Sequence, residues 1–411
     1  MSGKWPGGII SKTAPTVTGP TDPDLGGGSA SGIWTLDQAA DYEKQGLWPK
    51  PTVPQGLWTW GNNDYGQLGH GNTTELSSPV QVGTDGWSLA NVGTYSCKSM
   101  AEIKSDGTLW MQGRNGNGQL GQGNTTDYSS PVQVGALTDW DLVSTSAYAT
   151  GHTLAVKTDG TLWAWGHNGS GQLGTGNTTN LSSPVQVGAL TNWGQVSAGA
   201  ASMSFAIKTD GTLWNMGSCN QGGCGRGAGA SSVSSPVQVG ALTDWGTVWC
   251  GGKTSVSIKT DNTLWVWGQG ADGILGNSGT SNRSSPVQIG SALWSKANAA
   301  MGGWMMCCTR TDGTLWTWGR GSNGALGLGN VTYYSSPKQV GALTTWDQPS
   351  CGDNFAGCLR TDGTIWVWGA NGNGQLGQGD TTSTSSPVQV GALTTWKAFY
   401  AQSRFSWGLK V

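Results

Sequence analysis

The sequence is poor in charge and almost without histidine. Asp, Glu, Lys and Arg make up 11% of its 411 residues, the formal net charge is −2, and the histidines are three, His70, His152 and His167. So little charge leaves no basic footprint for nucleic acid. No Ser-His-Asp or paired-carboxylate constellation clusters or recurs, so the chain is expected not to be an enzyme. No apolar run approaches the length of a transmembrane helix and Met1–Ile10 does not read as a signal peptide, so no membrane insertion is expected. Helical periodicity is nearly absent as well.

What is abundant is glycine and tryptophan, 70 and 25 residues, and both follow from repetition. A Trp-containing core recurs as LWTWG (Leu57–Gly61), LWMQG (Leu109–Gly113), LWAWG (Leu162–Gly166), LWNMG (Leu213–Gly217), LWVWG (Leu264–Gly268), LWTWG (Leu315–Gly319) and IWVWG (Ile365–Gly369). Subtracting successive closing glycines gives spacings of 52, 53, 51, 51, 51 and 50 residues. A period near fifty is that of a repeat architecture.

Each copy reads as strands. LWAWG alternates large apolar residues with the period of a half-buried strand. Asp-Gly precedes it at Asp106, Asp159, Asp210, Asp312 and Asp362, with Asp261-Asn262 as the exception, and this pair suits a type I′ hairpin. Another alternating strand lies upstream, as in Met203–Thr209. Downstream, a glycine-rich loop leads to SSPVQVG, whose proline suits an outer edge, and a fourth strand follows ALTDW. The fold class expected is all-β, a seven-bladed propeller of four-stranded blades. Arg404–Val411 matches the strand that should precede an Asp-Gly turn, and the first copy starts at Gly56 without one, so the two ends should complete one blade. The Asp-Gly turns and ALTDW links would then share one face, and the QLG loops the other.

The repeat resembles that of the regulator-of-chromosome-condensation family, W-G-x-N-x-x-G-Q-L-G followed by P-x-x-V and x-x-D-G, over Gly56–Val411. The resemblance implies the propeller but not one task, because a fold hosts many. It would also admit a nucleotide-exchange or chromatin role, against which stand the short copies and the low basic charge. The histidine usual in the family before the Asp-Gly strand is present only as His152. Ser99, Met203, Thr254, Met305, Phe355 and Phe405 replace it.

Residues 1–55 differ from the rest. Met1–Gly32 is rich in Gly, Pro, Ser and Thr and should be an extended arm. In Ile33–Pro49, Thr35 and Gln38 form a capping-box pattern for a short helix over Leu36–Gln45. That helix either packs on its own propeller or docks another protein. GIWTLDQAADYEKQGLWP resembles the G-[IV]-W-x-L-x-x-Q element of tail-fibre and other structural proteins of tailed bacteriophages. The resemblance implies a structural component of a virion, present in multiple copies. Trp5, Trp34, Leu36, Tyr42, Leu47 and Trp48 would anchor it to other virion proteins, and the propeller could touch a host-surface receptor or glycan. The alternative is a soluble, non-enzymatic binding module, lectin-like or protein-binding.

Other motifs have plainer readings. The GNGQLGQG loops lack the Lys-Ser/Thr and the helix of a phosphate-binding loop. Asn72, Asn124 and Asn177 form glycosylation sequons but read as repeated loop residues. The tryptophans of each copy could stack sugars or absorb light, though recurrence in every blade favours packing between blades. The eight cysteines fall irregularly across the copies and should be mostly reduced thiols. Cys219 and Cys224, in the loop that breaks the pattern, have poor spacing for zinc, and no metal or cofactor is expected. Outward recognition is assigned to the irregular loops Ser218–Ser234 and Gln269–Ser284, through Cys219, Asn220, Cys224, Arg226, Asp272 and Arg283.

Overall fold

The computed structural model describes residues 56–83, 86–87, 98–146, 151–301 and 303–411. The helix and the anchoring residues Trp5, Trp34, Leu36, Tyr42, Leu47 and Trp48 expected within 1–55 lie outside them.

The described residues form a seven-bladed propeller of antiparallel sheets. Blade 3 shows the plan. Its strands Trp140–Thr145, His152–Lys157, Leu162–Gly166 and Leu181–Gln186 pair in sequence order from inner to outer edge. Blades 4 to 7 repeat this order. Blade 2 shows three strands, Ser99–Ile103, Leu109–Gly113 and Tyr128–Gln133, and Trp87 bridges Lys104 as Trp140 pairs with Lys157. Blade 1 is shared. Trp396–Ala401 and Phe405–Lys410 come from the end of the chain, Gly56–Gly61 and Leu76–Gln81 from its start, and the join runs in register from Gly56↔Lys410 to Gly61↔Phe405.

The Asp-Gly turn differs from the type I′ expected. Gly107 N–H donates to Lys104 O at 2.9 Å and Lys104 N–H to Thr108 O at 2.9 Å. The loop is therefore three residues long, with only the glycine at positive φ, +78° at Gly107 and +76° at Gly160. The aspartate keeps an ordinary backbone, and its carboxylate accepts the threonine N–H and Oγ1 two residues on, at 2.9 and 2.6 Å in Asp159–Thr161. This is a type I turn closed by a left-handed residue, the commonest three-residue hairpin. Asn262, at φ +69°, fills the glycine position in blade 5. A Cβ on Gly160 would lie 2.2 Å from Thr191 O, so the turn is pressed against the link to the next blade. Trp193 N–H donates to Gly160 O at 3.1 Å, which places the Asp-Gly turns and ALTDW links on one face, as expected.

Tryptophans fill the seams between blades. The second Trp of the core is fully buried as Trp60, Trp165, Trp267, Trp318 and Trp368. Its Nε1 reaches the preceding blade, with Trp165 donating to Gln119 O at 2.8 Å and Trp368 to Ala325 O at 2.9 Å. The inner-strand Trp meets it edge-on, as in Trp140 and Trp165, 5.9 Å apart. The first Trp lies at the rim of the seam and carries a cation on its face, Lys157 4.4 Å from Trp163 and Lys208 3.9 Å from Trp214. Each buried ring contributes roughly 1.5–3 kcal/mol. Nearer the axis, serines bridge inner strands of successive blades. Ser144 Oγ accepts Ala198 N–H at 2.9 Å, and Ser197 Oγ accepts Cys250 N–H at 3.0 Å.

Candidate recognition surface

The face opposite the Asp-Gly turns carries the loops between the third and fourth strands, and these fall into two kinds. In blades 1, 2, 3 and 7 an asparagine clasps the loop. Asn168 Oδ1 accepts Leu173 N–H at 3.0 Å while its amide donates to Asn177 O at 3.0 Å. Asn63, Asn115 and Asn371 do the same with Leu68, Leu120 and Leu376. A glutamine takes up another loop N–H, Gln119 Oε1 from Asn117 N at 2.8 Å and Gln172 Oε1 from Ser170 N at 2.9 Å. Amide groups that could have cradled a phosphate are thus spent within the loop. Asn72, Asn124 and Asn177 accept the N–H of Thr74, Thr126 and Thr179 as turn-forming side chains.

Blades 4, 5 and 6 lose the clasp. In blade 4 the asparagine and leucine positions are Cys219 and Cys224, joined as a disulfide. The expectation of mostly reduced thiols holds outside this loop; the one bond substitutes for a single blade's clasp and needs no counterpart elsewhere. The other described cysteines, Cys250, Cys307, Cys308, Cys351 and Cys358, are buried and form no disulfide. Arg226 turns back into its loop, donating to Cys219 Sγ at 3.0 Å and to Ser231 O, and burial lowers its pKa. Cys219, Cys224 and Arg226 therefore hold the loop together, while Asn220 is exposed.

In blades 5 and 6 the asparagine becomes Gly270 and Gly321. A Cβ there would lie 2.3 Å from Ser281 O and 2.1 Å from Thr332 O, so the backbone itself occupies the space of the side chain. Short 3-10 turns follow at Ala271–Gly273 and Ser322–Gly324, with Asp272 and Asn323 at φ +57°. Asp272 pairs with Arg320 Nε at 3.0 Å, joining the loops of the two blades. Arg320 also lies 4.7 Å from the Trp304 ring and 5.9 Å from that of Tyr333. Beside it Val331 is 61% exposed and Tyr333 44% exposed. Arg283 is exposed at the start of the outer strand of blade 5.

Asp272 and Arg283 thus reach the surface, but the sequence reading missed the most exposed apolar group on this face. Its signal was GNVTYY, where Val331 and Tyr333 replace the Thr178 and Asn180 of the ordinary loop.

The histidines are structural, with His167 next to His152 across the strand pair and His70 in blade 1. His152 Nε2 lies 2.8 Å from Ser204 Oγ, which itself donates to Gln172 O at 2.7 Å, so the histidine proton sits on Nε2. Burial pushes His152 down to about 3, leaving it neutral. His70 meets Thr59 Oγ1 at 2.9 Å and His167 Nδ1 meets Gln172 Nε2 at 2.7 Å, and burial lowers both. Among the described residues no group of three or more His, Cys, Asp or Glu could hold a metal ion, and no helix is long and apolar enough to cross a membrane.

Comparison with known proteins agrees with this geometry. The ultraviolet-B receptor UVR8 of Arabidopsis thaliana is 29% identical over 70% of this chain and 66% of its own length. The mitochondrial RCC1 domain-containing protein RUG3 of the same plant is 30% identical over 72% of this chain and 69% of its own. The human E3 ubiquitin-protein ligase HERC2 is 27% identical over 70% of this chain but only 6% of its own length. Two solved structures share the fold. Human WBSCR16 has a TM-score of 0.75 at 20% identity, covering 87% of this chain and 99% of its own. Prp20p of Saccharomyces cerevisiae has 0.76 at 17% identity, covering 88% and 92%. The family model described as RCC1-like domain matches residues 56–407, and with that match the chain belongs to the RCC1-like domain family.

Proposed function

We propose that this propeller is a non-enzymatic binding module that recognises a protein through the loop face of blades 4 to 6. The observation that carries the reading is where the repeat breaks. Clasped loops give way in three adjacent blades, and there Val331 and Tyr333 stand exposed beside Arg320 and Trp304. Exposed aromatic and arginine side chains around an apolar centre have the composition of an interaction hot spot. Relatives are consistent with it, since one structure of yeast RCC1 is described as bound to Kap60 and another in terms of binding to Gsp1p and histones. The anchored-virion reading draws on residues 1–55 alone, so the described surface favours the binding module.

The test restores the ordinary loop with Val331→Thr and Tyr333→Asn. Both positions are exposed, so the stability should stay within about 0.5 kcal/mol of wild type. Proteins captured by the wild type and identified by mass spectrometry should be lost by at least tenfold from the double variant. Equal capture by the two would remove the loop face from recognition.

A further inference from the structure

Three seams between blades open outward as equivalent grooves on the rim. Those at seams 3/4 and 7/1 have volumes of about 520 and 450 Å³ and no charged residue in their walls. The groove at seam 5/6, about 580 Å³, is different, being lined by Arg283 and Arg310 and by no carboxylate.

Arg283 is a departure from the repeat, whereas Arg310 holds a position that carries a cation in every blade, an arginine again at Arg360 in blade 7. Arg283 occupies the outer-strand position facing the closing glycine, filled elsewhere by Leu76, Tyr128, Leu181, Val233, Tyr334 and Thr384. Arg310 ends the second strand of blade 6, where Lys157 and Lys259 end theirs. Those lysines are neutralised by the residue before the inner-strand Trp, Lys157 by Asp139 and Lys259 by Asp244, each at 3.3 Å. In blade 6 that residue is Leu293. Asp312 is the acid that acts on Arg310, but its carboxylate is committed to Thr314 N–H and Oγ1 at 2.9 and 2.6 Å. Among the described residues Arg310 Nε is buried without a hydrogen-bond partner. A cation has thus been added, as Arg283, to a groove whose other cation lacks the carboxylate partner found in blades 3 and 5.

We infer that the seam 5/6 groove binds an anionic oligosaccharide, one bearing sulfate or phosphate esters. The cations enter from opposite ends of the outer strand Arg283–Gln288, so an elongated ligand with anionic groups at both ends fits better than a single small ion. Between them Asn277, Gln288, Ser291 and Ser336 line the groove with amide and hydroxyl groups suited to sugar hydroxyls. A nucleic acid would want an open aromatic face, but Trp294 is 1% exposed and the face of Trp316 is covered by Arg310 at 3.6 Å. An acidic peptide adding as a strand would need free edge amides, and Pro286 interrupts them on the outer strand. Guanidinium groups match the geometry of sulfate and phosphate oxygens.

The experiment uses the full chain, calorimetry and four probes: a sulfated tetrasaccharide, its desulfated form, a decamer of glutamate and a single-stranded oligonucleotide. Wild type should bind the sulfated saccharide, with affinity falling as salt rises. Arg283→Leu, which installs the residue of the equivalent position in blade 3, should weaken it at least tenfold without lowering the melting temperature. Arg310→Lys, which restores the residue ending the strand in blades 3 to 5, should weaken it several-fold. The Val331→Thr/Tyr333→Asn variant should bind the saccharide as wild type does, which separates this site from the loop face. No binding by wild type, equal binding by Arg283→Leu, equal binding of the desulfated form, or tighter binding of the peptide or oligonucleotide would each overturn the inference.

Discussion

Opposite the first tryptophan of each copy the second strand carries a small residue: Ala155, Ala206, Ser257, Cys308, Cys358 and Gly408. Blade 2 alone places Glu102 there, and Gln112 follows where Trp165 stands in blade 3. Both side chains are buried, and among the described residues neither the Glu102 carboxyl oxygens nor the Gln112 amide atoms have a hydrogen-bond partner. Burial drives the Glu102 pKa well above the ordinary carboxylate range. A carboxyl whose folded pKa is raised leaves the fold unpenalised below its unfolded pKa and costs stability as pH rises beyond that. Glu102→Gln has nearly the same shape and cannot ionise. It should leave the melting temperature at pH 4 almost unchanged and raise it at pH 8, by about 1–3 kcal/mol of stability, the penalty of a buried unsatisfied group. Identical shifts at both pH values in thermal melts would show that Glu102 does not titrate with folding. The turn aspartates Asp106, Asp159, Asp210, Asp261, Asp312 and Asp362 behave oppositely, since hydrogen bonds from the threonine two residues on hold each pKa down. Their contribution is present at neutral pH and is lost as pH falls through those lowered values.

At the scale of the element, the loop between the third and fourth strands has one job met in three ways: an asparagine clasp, a disulfide, or a 3-10 turn with glycine where the clasp would be. Closing a loop as short as Cys219–Cys224, with a sequence separation of 5, should stabilise by about 2 kcal/mol. Cys219→Asn with Cys224→Leu rebuilds the clasp of blade 3. The double variant should melt within about 1 kcal/mol of wild type and be indifferent to a reducing agent, whereas wild type should lose stability when reduced. If reduction leaves the wild-type melt unmoved, the disulfide does not carry the clasp's role. This bond was not legible from cysteine spacing, because the meaning of Cys219 and Cys224 comes from the Asn168 and Leu173 positions they occupy. The aspartate-glycine turns show the same limit. Their existence follows from the dipeptide, but the loop gains a residue because the preceding Ser or Thr joins it, so only the glycine needs the left-handed backbone. Arg283 is legible in sequence as a residue of an irregular loop, but its pairing with Arg310 emerges only when blades 5 and 6 meet along one groove.

For the whole molecule, the seven-bladed count, the face assignment and the shared first blade all follow from the repeat, because each copy states its strands in the same order and the ends supply complementary halves. The structure adds how the ring is closed. Phe405–Lys410 lies between Gly56–Gly61 and Trp396–Ala401 and pairs with both, so deleting Arg404–Val411 leaves two unpaired edges and should convert a soluble protein into an aggregating one. A circular permutant tests closure without deleting anything from the ring. Leu57 pairs with Leu409 as Leu162 pairs with Val156, so Lys410 corresponds to Lys157 and the Thr-Asp-Gly-Thr of residues 158–161 can join Lys410 to Leu57. New ends cut at the Asp159–Gly160 turn would make blade 3 the shared blade, and this permutant should melt within a few degrees of Gly56–Val411. New ends cut at Gly188–Ala189 fall in the link between blades 3 and 4, leave every blade continuous, and close the ring by seam packing alone. That protein should melt lower and exchange amide protons faster at seam 3/4. If the two permutants melt alike, strand sharing contributes nothing to closure and the tryptophan seams suffice.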